Sequence, residues 1–561
     1  MRKIIIYQIL TRLYRNRLSA NEENGSIKEN GSGKLNDISD DVLRKIASKG
    51  ITHVWFTGII RHASKTDYSQ FGIPKSHPAV VKGNAGSPYA ITDYYDVDPD
   101  LADNVADRMG EYEKLIERTH KARLGVIMDF VPNHVARQYH STCAPKGIEG
   151  LGDRDDPSKG FDPVNNNFYY CTGQALMPVG LDLYSGEKEP YREMPAKATG
   201  NDRFDAYPNQ NDWFETVKLN YGVDYYAGGI HHFTPIPSTW NKMLHILLFW
   251  ASKGIDGFRC DMAEMVPAEF WQWALEKLKA DYPNILIIGE VYNPTLYKRY
   301  LEAGFDYLYD KVGLYDTLRA VTCGYAPAKA ITGAWQANDY IGDHMLNFLE
   351  NHDEQRIASQ FFAGDALKAI PALAVSLLMD RKPFMLYFGQ QYGEKGMDKE
   401  GFSGIDGRTT IFDYWNPSSI RREALGELTE NERLVEGIYE RLLRISQSEK
   451  AITEGQFFDL MYANPGSSAF NPNTCYVFLR KSDDTLMVIA ANFGDKEANI
   501  SVKIPSHAFD YLGIKEGIFP AYDLMKDAKG QAELRRDGAI PLEISAYGTV
   551  ILRIGLEKYD S

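Results

Sequence analysis

Three acidic residues of this 561-residue chain stand at the ends of separate short apolar runs. Asp261 closes Gly257-Phe258-Arg259-Cys260, Glu290 follows Ile285 to Gly289, and Asp353 ends Asn351-His352-Asp353. A fourth run closes on Asp129-Phe-Val-Pro-Asn133-His134. Carboxylates brought together repel and raise one another's pKa, so a fold does not gather them for stability. The chemistry that uses a close pair is cleavage of a glycosidic bond: one carboxylate attacks while the other protonates the leaving oxygen. Asp261 suits the attack, because Arg259 lies two positions earlier on the same strand face and can hold its charge. Glu290 suits proton donation, because a carboxyl behind Ile-Leu-Ile-Ile-Gly is desolvated. Asp353 is left to favour the positive charge of an oxocarbenium-like state. His134 and His352 offer hydrogen bonds to sugar hydroxyls, and Tyr89 offers a flat ring for stacking. Each residue alone has a plainer reading as a cap, a packed histidine or a packed tyrosine. The argument rests on their joint placement at strand ends.

Such residues need elements that aim them at one point. Apolar strand runs are expected at Ile4–Leu10, His53–Ile60, Gly125–Val131, Gly257–Ala263, Ile285–Val291, Phe305–Asp310, Met345–Glu350 and Pro383–Gly389. Helical patterns fall between most of them, and a last one at Thr429–Ser446 follows the eighth. Eight β/α units in order predict a closed parallel (β/α)8 TIM barrel of the α/β class, whose working residues sit at the C-terminal ends of the strands. An open nucleotide-binding sheet would carry a Gly-rich fingerprint after its first strand, and none is present. The rhythm breaks at 135–220, a Gly, Pro, Asn and Asp-rich stretch too long for a barrel loop. It reads as an irregular domain inserted after the third strand, leaving 1–134 and 221–448 as the barrel. From 449 to 561 the pattern alternates with period two, the signature of an all-β sandwich domain.

The net charge of −14 excludes a nucleic-acid binder, which needs a basic face. Five scattered cysteines without a CxxC predict reduced thiols rather than a disulfide framework or zinc site. No run of 18 apolar residues marks a membrane span. The start, Met1 to Arg12, is interrupted by Gln8 and lacks a cleavage site, so it reads as a buried strand and the protein is expected in the cytoplasm.

The motifs DFVPNH, GFRCD, GEV and NHD, in that order, resemble the four short motifs of the α-amylase family of glycoside hydrolases, family thirteen. Val217-Lys-Leu-Asn220 resembles a fifth family element, Pro88-Tyr89 to Tyr95 the segment with its stacking tyrosine, and Asp406-Gly-Arg408 a segment with a substrate-binding arginine. The resemblance spans nearly the whole chain. It implies retaining hydrolysis of α-1,4 or α-1,6 bonds in α-glucans or malto-oligosaccharides through a covalent glycosyl-aspartate. By position, Asp261 is then the nucleophile, Glu290 the acid/base and Asp353 the stabiliser. Tyr89, His134, Arg259, His352 and Arg408 hold the sugar, and Asp129 pairs with Arg259. No cofactor is required; Asn133 matches a residue that binds calcium in many members, so calcium is the one metal expectation. Glu264 and Met265 replace a Lys-His pair common in α-amylases, Gln391 replaces an acidic residue after the eighth strand, and VKLN resembles the neopullulanase and cyclomaltodextrinase group more than the oligo-1,6-glucosidases. Two rival readings are a transglycosylase using the same intermediate and a non-catalytic carbohydrate-binding relative. All three carboxylates are retained, which favours an enzyme.

Overall fold

The structure is a computed structural model and describes residues 2–396, 401–402 and 404–556. Eight parallel strands close into a barrel: β1 (Ile5–Leu10), β2 (His53–Thr57), β3 (Gly125–Phe130), β4 (Gly257–Cys260), β5 (Leu286–Gly289), β6 (Tyr307–Tyr309), β7 (Met345–Phe348) and β8 (Phe384–Tyr387). They pair in chain order, and Ile5 to Gln8 against Phe384 to Tyr387 shuts the ring. Side chains alternate between barrel interior and helix layer. Ile6, Trp55, Ile127, Ile288, Tyr309, Leu346 and Met385 fill the interior. Their strand neighbours face outward into a larger cluster shared with the helices. Burial on both faces is why these strands read as unbroken apolar runs.

The surrounding helices are α1 (Asp40–Ser48), α2 (Arg108–Lys121), α3 (Ser238–Ser252), α4 (Ala268–Asp281), α5 (Tyr297–Glu302), α6 (Asp316–Thr322), α7 (Ala330–Asn338), α8 (Ile370–Leu378), α9 (Ser418–Leu425) and α10 (Glu430–Ser448). Two follow β6; the sequence pattern predicted only the first, because α7 has a weakly amphipathic, Ala- and Gly-containing face. The long closing helix α10 starts at a capping box, in which Thr429 and Glu432 satisfy each other's backbone N–H groups.

Between β3 and α3 the chain is largely irregular. It is tied down by short antiparallel pairs, His134–Ala136 with Thr216–Lys218 and Tyr170–Cys171 with Ala196–Lys197. The first pair joins the end of β3 to the stretch just before α3, so the whole excursion returns to the barrel mouth.

The C-terminal region holds β9 (Gln456–Asp459), β10 (Cys475–Lys481), β11 (Thr485–Asn492), β12 (Ala498–Lys503), β13 (Gly517–Asp523), β14 (Ala528–Leu534), β15 (Ala539–Ile544) and β16 (Thr549–Gly555). Six form an antiparallel sheet in the order β9-β10-β11-β16-β13-β14, and β12 pairs with β15. The strands β13, β14 and β15 escaped the sequence reading because their exposed faces carry many polar residues and little apolar run. Cys143, Cys171, Cys260, Cys323 and Cys475 are unbridged. No helix among the described residues is long and apolar enough to cross a membrane.

Candidate active site

The inward-facing positions of the strands continue past the barrel's apolar filling to its C-terminal mouth. Ile127 is followed two residues later by Asp129, Ile288 by Glu290, and Arg259 by Asp261, each on the same face. Arg259 is fully buried at the centre. One guanidinium nitrogen stands 2.7 Å from Asp261 Oδ1, and the other 2.8 Å from Glu290 Oε2. Its Nε donates to the Tyr309 hydroxyl at 3.2 Å, and the Trp55, Tyr89 and Tyr309 rings flank it. Asp129 is 3.5 Å away and accepts from Trp55 Nε1 at 3.0 Å. The proposed partner of Arg259 is thus its more distant neighbour.

One cation between two carboxylates leaves one negative charge in excess. Burial raises the Asp261 carboxyl well above its ordinary range; Arg259 pulls it down and Glu290 pushes it up again. Glu290 faces donors: the Met262 backbone N–H at 2.8 Å, the Tyr292 hydroxyl at 2.6 Å, and Arg259. Met262 reaches this position in a left-handed conformation, φ 42°, unusual for a side chain other than glycine.

Asp353 is the most open of the three, 43% exposed, against 7% for Asp261 and 3% for Glu290. Loss of water works to raise its carboxyl, but His352, then Arg259 and Arg408, bring it down to about 2. Asn351 holds the turn, accepting from the Asp353 and Glu354 N–H groups at 2.9 Å. His352 Nδ1 accepts from Gln8 Nε2 at 2.9 Å, which leaves Nε2 to meet the Tyr89 hydroxyl at 2.7 Å and Asp353 at 3.1 Å. Gln8, noted in the sequence only as a break in an apolar run, is therefore a positioning residue for His352. Tyr89 stacks at 28° on His352, with 5.2 Å between centroids.

His134 is buried, and burial with Lys218 and Lys82 nearby lowers it to about 3, so the ring is neutral. Its Nδ1 lies 3.1 Å from Asn133 Nδ2. The Asn133 oxygen, the expected calcium ligand, is taken by the ammonium of Lys218. Lys218 is buried; it pairs with Asp202 at 2.6 Å, donates to the Met265 carbonyl at 3.2 Å and sits over the Tyr225 ring. A calcium ion needs 6–8 oxygen ligands at ~2.3–2.6 Å. The donor set here is filled by a side-chain cation instead, so these residues do not fit calcium at Asn133. Glu264, at the other departure from the family pattern, accepts from the Tyr292 and Asn293 N–H groups and so anchors the loop after β5.

These groups open onto a cavity of about 360 Å³. All three carboxylates, Tyr89, His134, His352 and Arg408 line it; Arg259 and Asn133 lie behind. Arg408 is half-exposed at the rim, 3.5 Å from Asp406. Sequence reasoning missed Lys82, Trp213, Glu215, Tyr292 and Phe412, which also line it. All five sit in loops, where no periodicity announces direction.

The family described as Alpha amylase, catalytic domain, matches residues 8–426. Alpha-amylase 3 of Dictyoglomus thermophilum is 23% identical over 393 residues, which is 66% of this chain and 68% of that protein. Neopullulanase 2 of Thermoactinomyces vulgaris is 18% identical over 469 residues, 83% of this chain and 63% of that protein. The chain thus spans about two thirds of the length of these relatives. An α-amylase structure from Geobacillus thermoleovorans, complexed with acarbose, superposes with a TM-score of 0.64 at 18% identity, covering 99% of each chain. That likeness carries the fold.

The Lys218 cage yields a test. Replacing Lys218 by Met removes the ammonium that Asn133 and Asp202 share; denaturant unfolding should show a loss of roughly 2–3 kcal/mol. Treating the unaltered protein with EDTA should change neither its activity nor its melting temperature. An EDTA-induced loss restored by calcium and abolished by Asn133→Ala would overturn the assignment.

Proposed function

Because the chain belongs to the α-amylase catalytic-domain family, we propose that it hydrolyses α-1,4 or α-1,6 glucosidic bonds in α-glucans or malto-oligosaccharides with retention of configuration. The observation that carries this reading is the single guanidinium bridging Asp261 and Glu290. Retaining enzymes hold their two carboxyl groups ~5–5.5 Å apart, whereas inverting enzymes need ~6.5–9.5 Å to admit a water. Bridging by one planar group favours the shorter spacing.

In this reading a glucosyl unit enters over Tyr89, with His134 and His352 donating to its hydroxyls and Arg408 closing the rim. Its hydroxyls displace water from the mouth. Asp261 then attacks the anomeric carbon as the glycosidic bond breaks, and Glu290 gives its proton to the departing oxygen. Asp353, ionised at about 2 and across the cavity, favours the positive charge on the ring carbon. In the second half, Glu290 takes a proton from water, the water oxygen bonds to the anomeric carbon, and the Asp261 ester bond is released. Two inversions give net retention. A sugar hydroxyl in place of water gives transfer instead, the rival outcome within the same intermediate. The relative named Neopullulanase 2 supports a glucan as the substrate class.

Asp261→Asn and Glu290→Gln should each lose at least ~10³-fold in kcat on malto-oligosaccharides with the fold intact; near-normal turnover in either removes the assignment. Proton NMR of the first product should show the α-anomer, and initial β-anomer would make the enzyme inverting. The pH profile of kcat/KM should be bell-shaped. Asp261 must be ionised, and burial raises its carboxyl, so activity should fall with falling pH already above the ordinary aspartate range near ~3.9. A rate that is flat down to that value would contradict the buried pair. Product analysis on maltotriose, starch, pullulan and cyclodextrin then separates hydrolysis from transfer and fixes the linkage.

A further inference from the structure

The cavity wall also carries a charged pair that the reaction above does not use. Lys82 lies in the segment between β2 and β3, and Glu215 immediately precedes the strand Thr216–Lys218. Lys82 Nζ and Glu215 Oε2 are 3.1 Å apart, with side chains only 10% and 5% exposed, and both residues line the cavity. The ammonium also stands over the Phe214 ring at 5.3 Å and the Phe412 ring at 5.9 Å. A buried ion pair loses hydration that its mutual attraction does not fully return. Hydroxyls of a ligand in the cavity offset part of that cost.

The pair is held in place before any ligand arrives. Gly83 adopts φ +63°, and a Cβ there would lie 2.2 Å from the Phe412 carbonyl oxygen. The Ala85 N–H donates to that same carbonyl at 3.0 Å, so the Lys82 loop is zipped to the loop after β8. On the other side, the Arg137 N–H donates to the Glu215 carbonyl at 3.0 Å.

Its side of the cavity follows from the barrel order. The acid Glu290 follows β5 and must face the departing oxygen. Lys82 and Glu215 follow β2 and β3, on the opposite side of β4 and Asp261. They therefore border the part of the substrate that stays on the enzyme. An ammonium beside a carboxylate both donates and accepts, as vicinal hydroxyls require, whereas an anionic substituent would be repelled by Glu215. Resting on the hydrolase reading, we propose that Lys82 and Glu215 grip the second glucosyl unit on the retained side of the cleaved bond. They thereby set a preference for substrates with at least two sugars there.

Two aryl glycosides isolate the effect, because the leaving group is the same: 4-nitrophenyl α-glucoside offers one sugar on the retained side and 4-nitrophenyl α-maltoside offers two. The ratio of kcat/KM for nitrophenol release, maltoside over glucoside, should fall about 10- to 100-fold in both Lys82→Met and Glu215→Gln, the worth of a charged hydrogen bond. A ratio that stays the same overturns the proposal, and a ratio that rises makes the pair a barrier that ends the cavity. Should the unaltered protein release nitrophenol from neither, the hydrolase reading fails. Calorimetric binding of maltotriose then decides this inference by itself, since either variant must weaken it and equal affinity refutes it.

Discussion

A buried guanidinium that must neutralise two carboxylates governs this structure. Arg259 has no water to share its charge with, and its nitrogens are spent on Asp261, Glu290 and the Tyr309 hydroxyl. The excess negative charge is tolerated because aromatic rings flank the cation and backbone and hydroxyl donors face Glu290. Removing any one of these would leave a charge without compensation in a region of low polarisability. The barrel supplies what such an arrangement demands, namely rigid strands that deliver side chains of one parity to one mouth.

The same logic of buried charge recurs around that mouth. Lys218 sets a cation that the chain carries itself between Asn133 and Asp202, tying the end of β3 to the inserted region. Glu264 and Met265, which depart from the family pattern, take part in this scaffold: one anchors the loop after β5, the other lends its carbonyl to Lys218. Substitutions that look like lost substrate contacts in sequence are thus structural exchanges in three dimensions. The Lys82–Glu215 pair carries the same theme into the lining of the cavity.

Histidine and tyrosine complete the site in a graded way. Gln8 fixes the His352 tautomer, His352 holds Asp353 ionised, and Tyr89 stacks on His352. Gln8, Tyr89 and the adjacent His352 and Asp353 come from three different segments, so the chain of contacts doubles as a clamp across the barrel mouth. The low value at His134 keeps that ring neutral and able to donate to a sugar while Lys218 and Lys82 stand close by.

Much of this was legible in the linear sequence. Double-sided burial imposes continuous apolar runs, so all eight barrel strands stood out, and their C-terminal ends marked the three carboxylates, His134 and His352. Strand parity even linked Arg259 to Asp261. The strands β13 to β15 and the helix α7 did not show, because half-exposed elements carry weak patterns that local propensity cannot separate from loops. Nor did the sequence indicate that Arg259 also serves Glu290, that Lys218 occupies the Asn133 oxygen, or that Lys82, Glu215, Trp213 and Phe412 line one cavity. Periodicity records which way a side chain points along its own element; it holds no information on which loops meet. Those meetings, and the charge balance they create, are set by long-range closure of the barrel and so belong to the tertiary structure alone.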